Sequence, residues 1–147
     1  MYLIFGLGNP GPRYETTRHN TGFLVVDTLT EKHSIRLDKH KYRCVYGDGK
    51  IDKVDVRVAK PLTYMNESGK AVRAVQTAFQ VRPEQIIVVY DEIDFPLGKI
   101  KVKHSGGDAG NLGIRSIIES LQTDRFTRVR VGIGRPQDRD QIVDYVL

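Results

Sequence analysis

At 147 residues the chain fits one domain, long enough to bury a core without disulfide or metal staples. No apolar run approaches the roughly 18 residues of a membrane span, and the N-terminus lacks the basic segment of a signal peptide, so we expect a cytoplasmic protein. The net charge of +5 favours an anionic partner, and the single cysteine, Cys44, excludes an internal disulfide and is expected to be a plain strand residue.

The first third of the chain predicts a strand, a helix and a pair of strands. Residues 2–7 form a short apolar run that ends in glycine, which is typical of a central strand, and residues 20–33 carry apolar side chains at helical spacing. Residues 41–46 and 54–59 cluster β-forming side chains around Gly47-Asp48-Gly49, which indicates a hairpin or two neighbouring strands.

The rest of the chain predicts, in order, a helix, a buried strand, a half-exposed strand, a helix, a strand and a last helical stretch. These segments are residues 65–79, 85–90, 98–103, 114–121, 128–133 and 137–147. No linker or internal repeat interrupts them. We therefore predict a single α/β domain over residues 1–147, with a mixed, mostly parallel sheet sandwiched between helices.

The segment Gly6-Leu7-Gly8-Asn9-Pro10-Gly11 matches the glycine pattern of dinucleotide-binding turns directly after a predicted strand. Pro10 and Pro12 weaken this interpretation, because each removes an N–H that would otherwise bind pyrophosphate. Asp27 falls inside a predicted helix rather than at the end of a second strand. A nicotinamide-dependent oxidoreductase is therefore a minor alternative.

Three polar side chains are expected to meet at one end of the sheet. Asn9 follows the first strand, His19 precedes the first helix, and Asp91 follows the buried strand of residues 85–90. A carboxylate bonded to one imidazole nitrogen would fix the tautomer and leave the other nitrogen to take a proton from water. A turn-capping role is the alternative for Asp91.

Tyr64, Met65 and Asn66 open the second predicted helix with a ring, a flexible apolar side chain and an amide. The amides of Asn9 and Asn66 could address a carbonyl or an adenosine, while the ring or the thioether packs against a base. Asn66 as a plain helix cap and Met65 as core filler remain open.

A glycine-rich loop over residues 105–113 precedes the third predicted helix and could bring backbone N–H groups to a phosphate or an ester. Basic residues flank it, each of which alone is typical of a solvated side chain. They are Lys99, Lys101 and Lys103 before the loop, and Arg115, Arg125, Arg128 and Arg130 after it. Together they predict a basic surface.

GLGNPG, TRHNTG, KPLTYMNESGKAV, DEIDFPLG, SGGDAGNLG and RVRVGIGRP, in this order and spacing, resemble the bacterial peptidyl-tRNA hydrolases over nearly the whole chain. The resemblance implies hydrolysis of the ester between a peptide and the terminal ribose of tRNA. It implies no metal and no organic cofactor, and a monomer that binds the acceptor end and phosphates of peptidyl-tRNA, with no membrane partner.

By position, the resemblance implies that His19 is the general base, that Asp91 orients it, and that Asn9 helps to distinguish N-blocked from unblocked substrates. Other positions match substrate contacts or the cleft lining, namely Tyr14, Tyr64, Met65 and Asn66. The positions expected to meet tRNA phosphates are Lys101, Lys103 and Arg130.

Two departures from the family pattern affect these expectations. Where the family loop reads His-Gly-Gly-His-Asn-Gly, this chain has Asp108 and Asn111 at the histidines and Leu112 at the asparagine. Either Asn111 takes over the substrate contact of that asparagine, or it only caps the following helix. The family's C-terminal helical segment is also expected to be missing after Leu147, through truncation or a naturally reduced form.

A non-catalytic RNA-binding relative of the family is the alternative function from another class. Such a protein would keep the basic cleft without efficient hydrolysis. The presence of His19, Asp91, Asn9 and Asn66 favours the enzyme.

Overall fold

The fold is built on a mixed sheet, which the computed structural model describes together with its helices over residues 1–10 and 20–134. Within these residues the strands are β1 (Tyr2–Gly6), β2 (Lys39–Lys41), β3 (Cys44–Ile51), β4 (Val54–Pro61), β5 (Ile86–Glu92), β6 (Ile100–Lys103) and β7 (Thr127–Gly132). Their order across the sheet is β2-β3-β4-β1-β5-β7-β6. The four central strands are parallel, and the strands at both edges pair antiparallel.

Helices cover both faces of this sheet, which confirms the predicted sandwich. The described helices are α1 (Thr21–Lys32), α2 (Ser68–Phe79) and α3 (Leu112–Leu121). α1 contacts β1, β4 and β5 on one face, while α2 and α3 pack together on the other. Alternate residues of β5 belong to the two core clusters, because successive strand side chains point to opposite faces.

Glycines without a Cβ allow the backbone of α1 to lie close to the carboxyl ends of the central strands. A Cβ on Gly6 would overlap the carbonyl of Gly22, and a Cβ on Gly22 would lie 2.5 Å from the carbonyl oxygen of Val89. The helix backbone therefore rests directly on β1 and β5. Its first turn lies at the end of the sheet where both strands finish.

The predicted hairpin is confirmed, but its turn is not at the glycines. β3 continues through Gly47 and Gly49, and the reversal occurs at Asp52 and Lys53, which have φ values of 49° and 70°. A side chain on Gly47 would overlap the carbonyl of Arg36. Gly47 thus lies inside a strand, because a neighbouring chain segment crosses too close for a side chain. In the sequence the same glycine looks like a turn residue.

The second predicted helix begins with a tighter turn than expected. Met65–Glu67 form a 3-10 turn, and α2 follows from Ser68. The remaining predicted helices and strands over residues 20–133 are confirmed within a few residues of their ends. The last predicted helical stretch, residues 137–147, lies outside the described residues.

Cys44 is buried in β3, as expected of a strand residue. Burial raises the pKa of its thiol to about 12. The thiol is therefore protonated at neutral pH, and a protonated thiol is a poor nucleophile.

Candidate active site

A cleft of about 450 Å³ opens where β1 and β4 end and α3 begins. It is lined by Asn9, Tyr64, Met65, Asn66, Gly110, Asn111 and Leu112. These are the cleft residues that the sequence singled out, together with one glycine of the loop. The carboxyl end of a parallel sheet is the usual ligand-binding end in open α/β folds.

Asn9 is held in this cleft by hydrogen bonds from two directions. The Asn20 side chain accepts from the Asn9 N–H and donates to the Asn9 carbonyl, both at 2.9 Å. The Asn9 side-chain oxygen in turn accepts from the Met65 N–H at 2.7 Å. The Asn9 side-chain oxygen is thus already hydrogen-bonded within the protein, and the Asn9 NH₂ group is the part of the amide left to face a ligand.

Tyr64 and Asn66 project from the other side of the cleft, and Met65 lies beneath it. Tyr64 is 60% exposed, and Asn66 is exposed as well. Asn66 does not cap a helix, since Tyr64 and Glu67 occupy the two cap positions. Met65 belongs to the main core cluster while it lines the cleft, so its role as core filler is confirmed and its contact with a base stays a prediction.

Asp91 lies at the same end of the sheet as Asn9, as the parallel strands predict. Gly6 of β1 pairs with Val89 of β5, and the Leu7 N–H donates to the Val89 carbonyl at 2.9 Å. Asp91 shares the α1 side of the sheet with Val89 and is 7% exposed. The two other residues expected here, His19 and Tyr14, lie outside the described residues.

Asn111 caps α3, the helix that borders the cleft. Its side-chain oxygen accepts from the Ile114 N–H at 2.9 Å, so the capping interpretation is confirmed. Asn111 also lines the cleft, with its NH₂ group as the remaining donor. Leu112 follows in the first turn of α3 and is 52% exposed.

Asp108, at a position where the family carries histidine, organises the loop. Its carboxylate accepts from the Gly110 N–H at 2.8 Å and from Arg115 at 2.9 Å. Both interactions hold the pKa of Asp108 below its ordinary value, the Arg115 hydrogen bond most of all. Asp108 therefore closes the turn in place of reaching toward the cleft.

Arg128 anchors the same loop from inside the protein. Its guanidinium donates to the carbonyls of Gly107 at 2.9 Å and Asp124 at 2.8 Å and lies over the Phe126 ring. The residue is 1% exposed, and burial lowers the pKa of its guanidinium. For Arg128 the expectation of a solvated side chain is wrong, because β7 carries it into the core next to α3.

The predicted basic surface consists of exposed lysines and a more buried arginine. Lys101 pairs with Arg130 and Lys103 with Arg128 across β6 and β7, so all four side chains share one face of the sheet. Lys101 and Lys103 are exposed. The Arg130 side chain is 14% exposed and bonds Glu92 at 2.5 Å while lying over the Phe95 ring.

The described residues form neither a metal-binding cluster nor a membrane-spanning helix. In residues 1–10 and 20–134 no three His, Cys, Asp or Glu side chains are grouped to hold a metal ion. None of the three helices in that part of the chain has the length and apolar character needed to cross a membrane.

The family model for peptidyl-tRNA hydrolase matches residues 3–147. The chain belongs to the peptidyl-tRNA hydrolase family. It is 46% identical to the peptidyl-tRNA hydrolases of Shouchella clausii and Bacillus subtilis over 147 residues, which are all of this chain and 80% and 78% of theirs. The crystal structure of peptidyl-tRNA hydrolase from Acinetobacter baumannii superposes with a TM-score of 0.91 at 40% identity, covering 99% of this chain and 74% of that one.

Membership of the peptidyl-tRNA hydrolase family confirms the resemblance and overturns the dinucleotide-binding interpretation of Gly6–Gly11. The glycine pattern has another use here. Gly6 gives α1 room to approach β1, and the first described helix after this strand begins only at Thr21.

Sequence reasoning missed Asn20 as a residue of the site. Asn20 follows His19 at the start of a helix, where an asparagine predicts an N-cap. Its side chain makes no cap hydrogen bond and binds the Asn9 backbone instead, eleven residues away. The only sequence signal was its place inside the TRHNTG motif.

Proposed function

We propose that this chain hydrolyses the ester that joins a peptide to tRNA, as the names of its relatives state for those proteins. The observation that carries the proposal is that Asn9 and Asn66 line one cleft at the end of the sheet where Asp91 and the first turn of α1 also lie. Amide donors and a buried carboxylate are what ester hydrolysis by activated water requires near a base.

His19 is the base in this proposal. It is covalently joined to Asn20, whose side chain binds Asn9, and Asp91 lies on the α1 side of the sheet. The Asp91 carboxylate would accept from one imidazole N–H and stabilise the imidazolium. The other nitrogen takes a proton from water as the water oxygen bonds to the ester carbonyl carbon. That proton then passes to the departing ribose oxygen.

The amide groups of Asn9 and Asn66 serve the carbonyl side of the reaction. The Asn9 oxygen is occupied by the Met65 N–H, so the Asn9 NH₂ group is oriented as a donor. Such a donor stabilises negative charge on the carbonyl oxygen and fits a peptide carbonyl better than a free α-ammonium group. This difference accounts for a preference for N-blocked substrates.

The tRNA is bound, in this proposal, by stacking at the cleft and by charge at the β6 edge. Tyr64 offers an exposed ring for a terminal base, and Tyr14 is assigned a substrate contact by its motif alone. Lys101 and Lys103 are exposed to meet phosphates. Arg130 is supported less strongly as a phosphate ligand, since its guanidinium is bonded to Glu92.

No cofactor enters the proposed reaction, and the protein is proposed to act as a cytoplasmic monomer. The monomer is tested by sedimentation of the protein with and without tRNA. A single species of about 17 kDa without tRNA is expected from the chain mass of 16.7 kDa.

Turnover of N-acetylaminoacyl-tRNA tests the proposal. We expect His19→Ala to lower kcat by about 10² to 10⁴-fold without unfolding the domain. Asp91→Asn should cost less, because an amide still holds the ring but does not favour the imidazolium form. His33→Ala, at the far end of α1, is the matched control and should keep full activity.

A folded His19→Ala protein with near-normal turnover would remove His19 from the role of base. Wild-type protein that binds tRNA but releases none from the ester would instead indicate a non-catalytic RNA-binding relative. If Asp91→Asn abolishes folding and leaves the pH profile of the soluble fraction unchanged, the carboxylate is structural.

A further inference from the structure

A second groove, of about 620 Å³, runs along the outer face of α2 next to the cleft. Its floor is small and uncharged, formed mainly by Ala74, Thr77 and Ala78. Three cations line it, Arg43 from the turn before β3 and Lys70 and Arg73 from α2, and all three are exposed. We call these residues the cationic groove.

The charge of the cationic groove is only partly balanced. Lys70 bonds Glu67 at 2.7 Å, an exposed pair that an incoming carboxylate can replace at little cost. Glu67 faces both Lys70 and Arg43, which hold its pKa below the ordinary value, Lys70 more strongly. Arg73 uses one nitrogen to donate to the Ser120 carbonyl at 3.2 Å. Three cations against one carboxylate leave a surplus of positive charge.

This groove continues the line of the cleft along α2. Lys70, Arg73 and Thr77 follow one another at helical spacing on one stripe of α2, and Asn66 lies in the 3-10 turn just before this helix. With a rise of about 2.0 Å per residue in the 3-10 turn and about 1.5 Å in α2, Lys70 lies about 7 Å and Arg73 about 12 Å along the chain axis from Asn66. An extended peptide advances about 3.3 Å per residue, so it covers these distances in about two to four residues.

Leu62, two residues before Tyr64 of the cleft, is an exposed apolar side chain that we call the ridge. Leu62 is 45% exposed and Tyr64 is 60% exposed. The Leu62 N–H donates to the Arg43 carbonyl at 2.7 Å, which ties the ridge to the groove. A surface of apolar side chains leading to spaced cations suits a peptide with acidic side chains better than a bare phosphate chain.

The two basic surfaces lie on opposite sides of the cleft. Lys101 and Lys103 are on β6, the last strand on one side of β1, while Arg43 precedes β3 on the other side. If tRNA occupies the β6 side, the peptide has to leave the ester toward β4 and β3. That direction leads over Leu62, beyond the Tyr64 ring that the terminal base occupies.

We propose that the cationic groove binds the peptide part of the substrate and favours acidic residues about two to four positions from the ester. The inference rests on the proposed function, because it assigns a second surface to the same substrate. The exposed ridge holds the peptide backbone close to the protein, and Arg43, Lys70 and Arg73 select its side-chain charge.

The test compares peptidyl-tRNAs that share one tRNA and one C-terminal amino acid. Their short N-acetylated peptides carry Glu, Gln or Lys at the third residue from the ester. We expect kcat/KM to fall in the order Glu, Gln, Lys, with Glu about two- to five-fold above Gln, as for one exposed ion pair. Added salt should shrink this ratio.

In the Arg43→Gln/Lys70→Gln protein the Glu to Gln ratio should fall to about one. The matched control is Lys32→Gln/Lys53→Gln, which removes the same charge from exposed positions at the other end of the sheet. It should keep the wild-type ratio. Equal Tm values for the two double variants will show that folding does not cause the difference.

Three results would overturn the inference, and they are distinguishable. Equal kcat/KM for the three substrates in the wild-type protein would show that the groove does not read peptide charge. An equal loss for all three substrates, with weaker binding of deacylated tRNA, would assign the groove to RNA. Failure of the wild-type protein to cleave any of them would refute the proposed function itself.

Discussion

Replacement of Asn20 should lower turnover by more than the accompanying loss of protein stability explains. The Asn20 side chain is 1% exposed and makes two 2.9 Å hydrogen bonds to the Asn9 backbone. Each such bond contributes about 0.5 to 1.5 kcal/mol, so Asn20→Ala should cost about 1 to 3 kcal/mol. For a domain of this length that corresponds to a fall in Tm of about 3 to 10 °C.

Replacement of Asn20 should also lower kcat, because Asn9 in turn holds the backbone on the other side of the cleft. Asn9 accepts from the Met65 N–H, so a shift of Asn9 also releases the backbone between Tyr64 and Asn66. Misplacement of about 1 Å can cost up to about 10²-fold in rate, and we expect kcat to fall at least about ten-fold. The assay is turnover of N-acetylaminoacyl-tRNA well below Tm, with hydrogen exchange of the Met65 amide as a readout independent of activity.

Two variants separate positioning from folding. Asn20→Asp keeps the acceptor for the Asn9 N–H but sets a carboxylate against the Asn9 carbonyl, so its kcat should fall as well. Thr30→Val is the control, since it removes the partly buried hydrogen bond from the Thr30 hydroxyl to the Asp27 carbonyl in the same helix, away from the cleft. An Asn20→Ala protein that loses no more turnover than Thr30→Val, with unchanged Met65 exchange, would refute the reasoning.

Other variants test the loop, the basic edge and the thiol. Asn111→Ala should lower the free energy of unfolding by about 0.5 to 2 kcal/mol through the lost helix cap and should lower turnover by up to about ten-fold. Leu112→Ala should change turnover little. A loss of stability with unchanged turnover in Asn111→Ala would limit Asn111 to capping. Lys103→Ala should reduce the salt slope of tRNA binding by about one unit. Arg130→Ala should mainly lower Tm, because the Glu92 carboxylate, whose side chain is only 12% exposed, is left without the Arg130 ion pair. Equal changes of Tm and of slope in both variants would contradict this. Cys44 should react with a thiol reagent at pH 8 only after unfolding. As pH rises from about 9 toward 12 the free energy of unfolding should fall, because the unfolded thiol loses its proton first; fast labelling of folded protein would contradict the raised pKa.

The sequence by itself determined the α/β class, the main strands and helices, and the placement of Asn9 and Asp91 at the same end of the sheet. Apolar spacing is a local property, and it indicated the buried β5 and the amphipathic α2 directly. The carboxyl ends of adjacent parallel strands must coincide, so two local predictions were enough to place two distant side chains at one end of the sheet.

Only the tertiary structure decided how the side chains of the site are held. Asn20 carries the sequence signal of a helix cap and Arg128 that of a solvated cation, yet the first binds Asn9 and the second is buried against the glycine loop. Gly47 carries the signal of a turn and lies within a strand. In each case the deciding partner is 11 to 21 residues away, or is a crossing backbone, and a contact over that separation leaves no periodic trace in the local sequence. Local propensity is a weak preference of at most about 1 kcal/mol, and the burial of a side chain against a distant partner outweighs it.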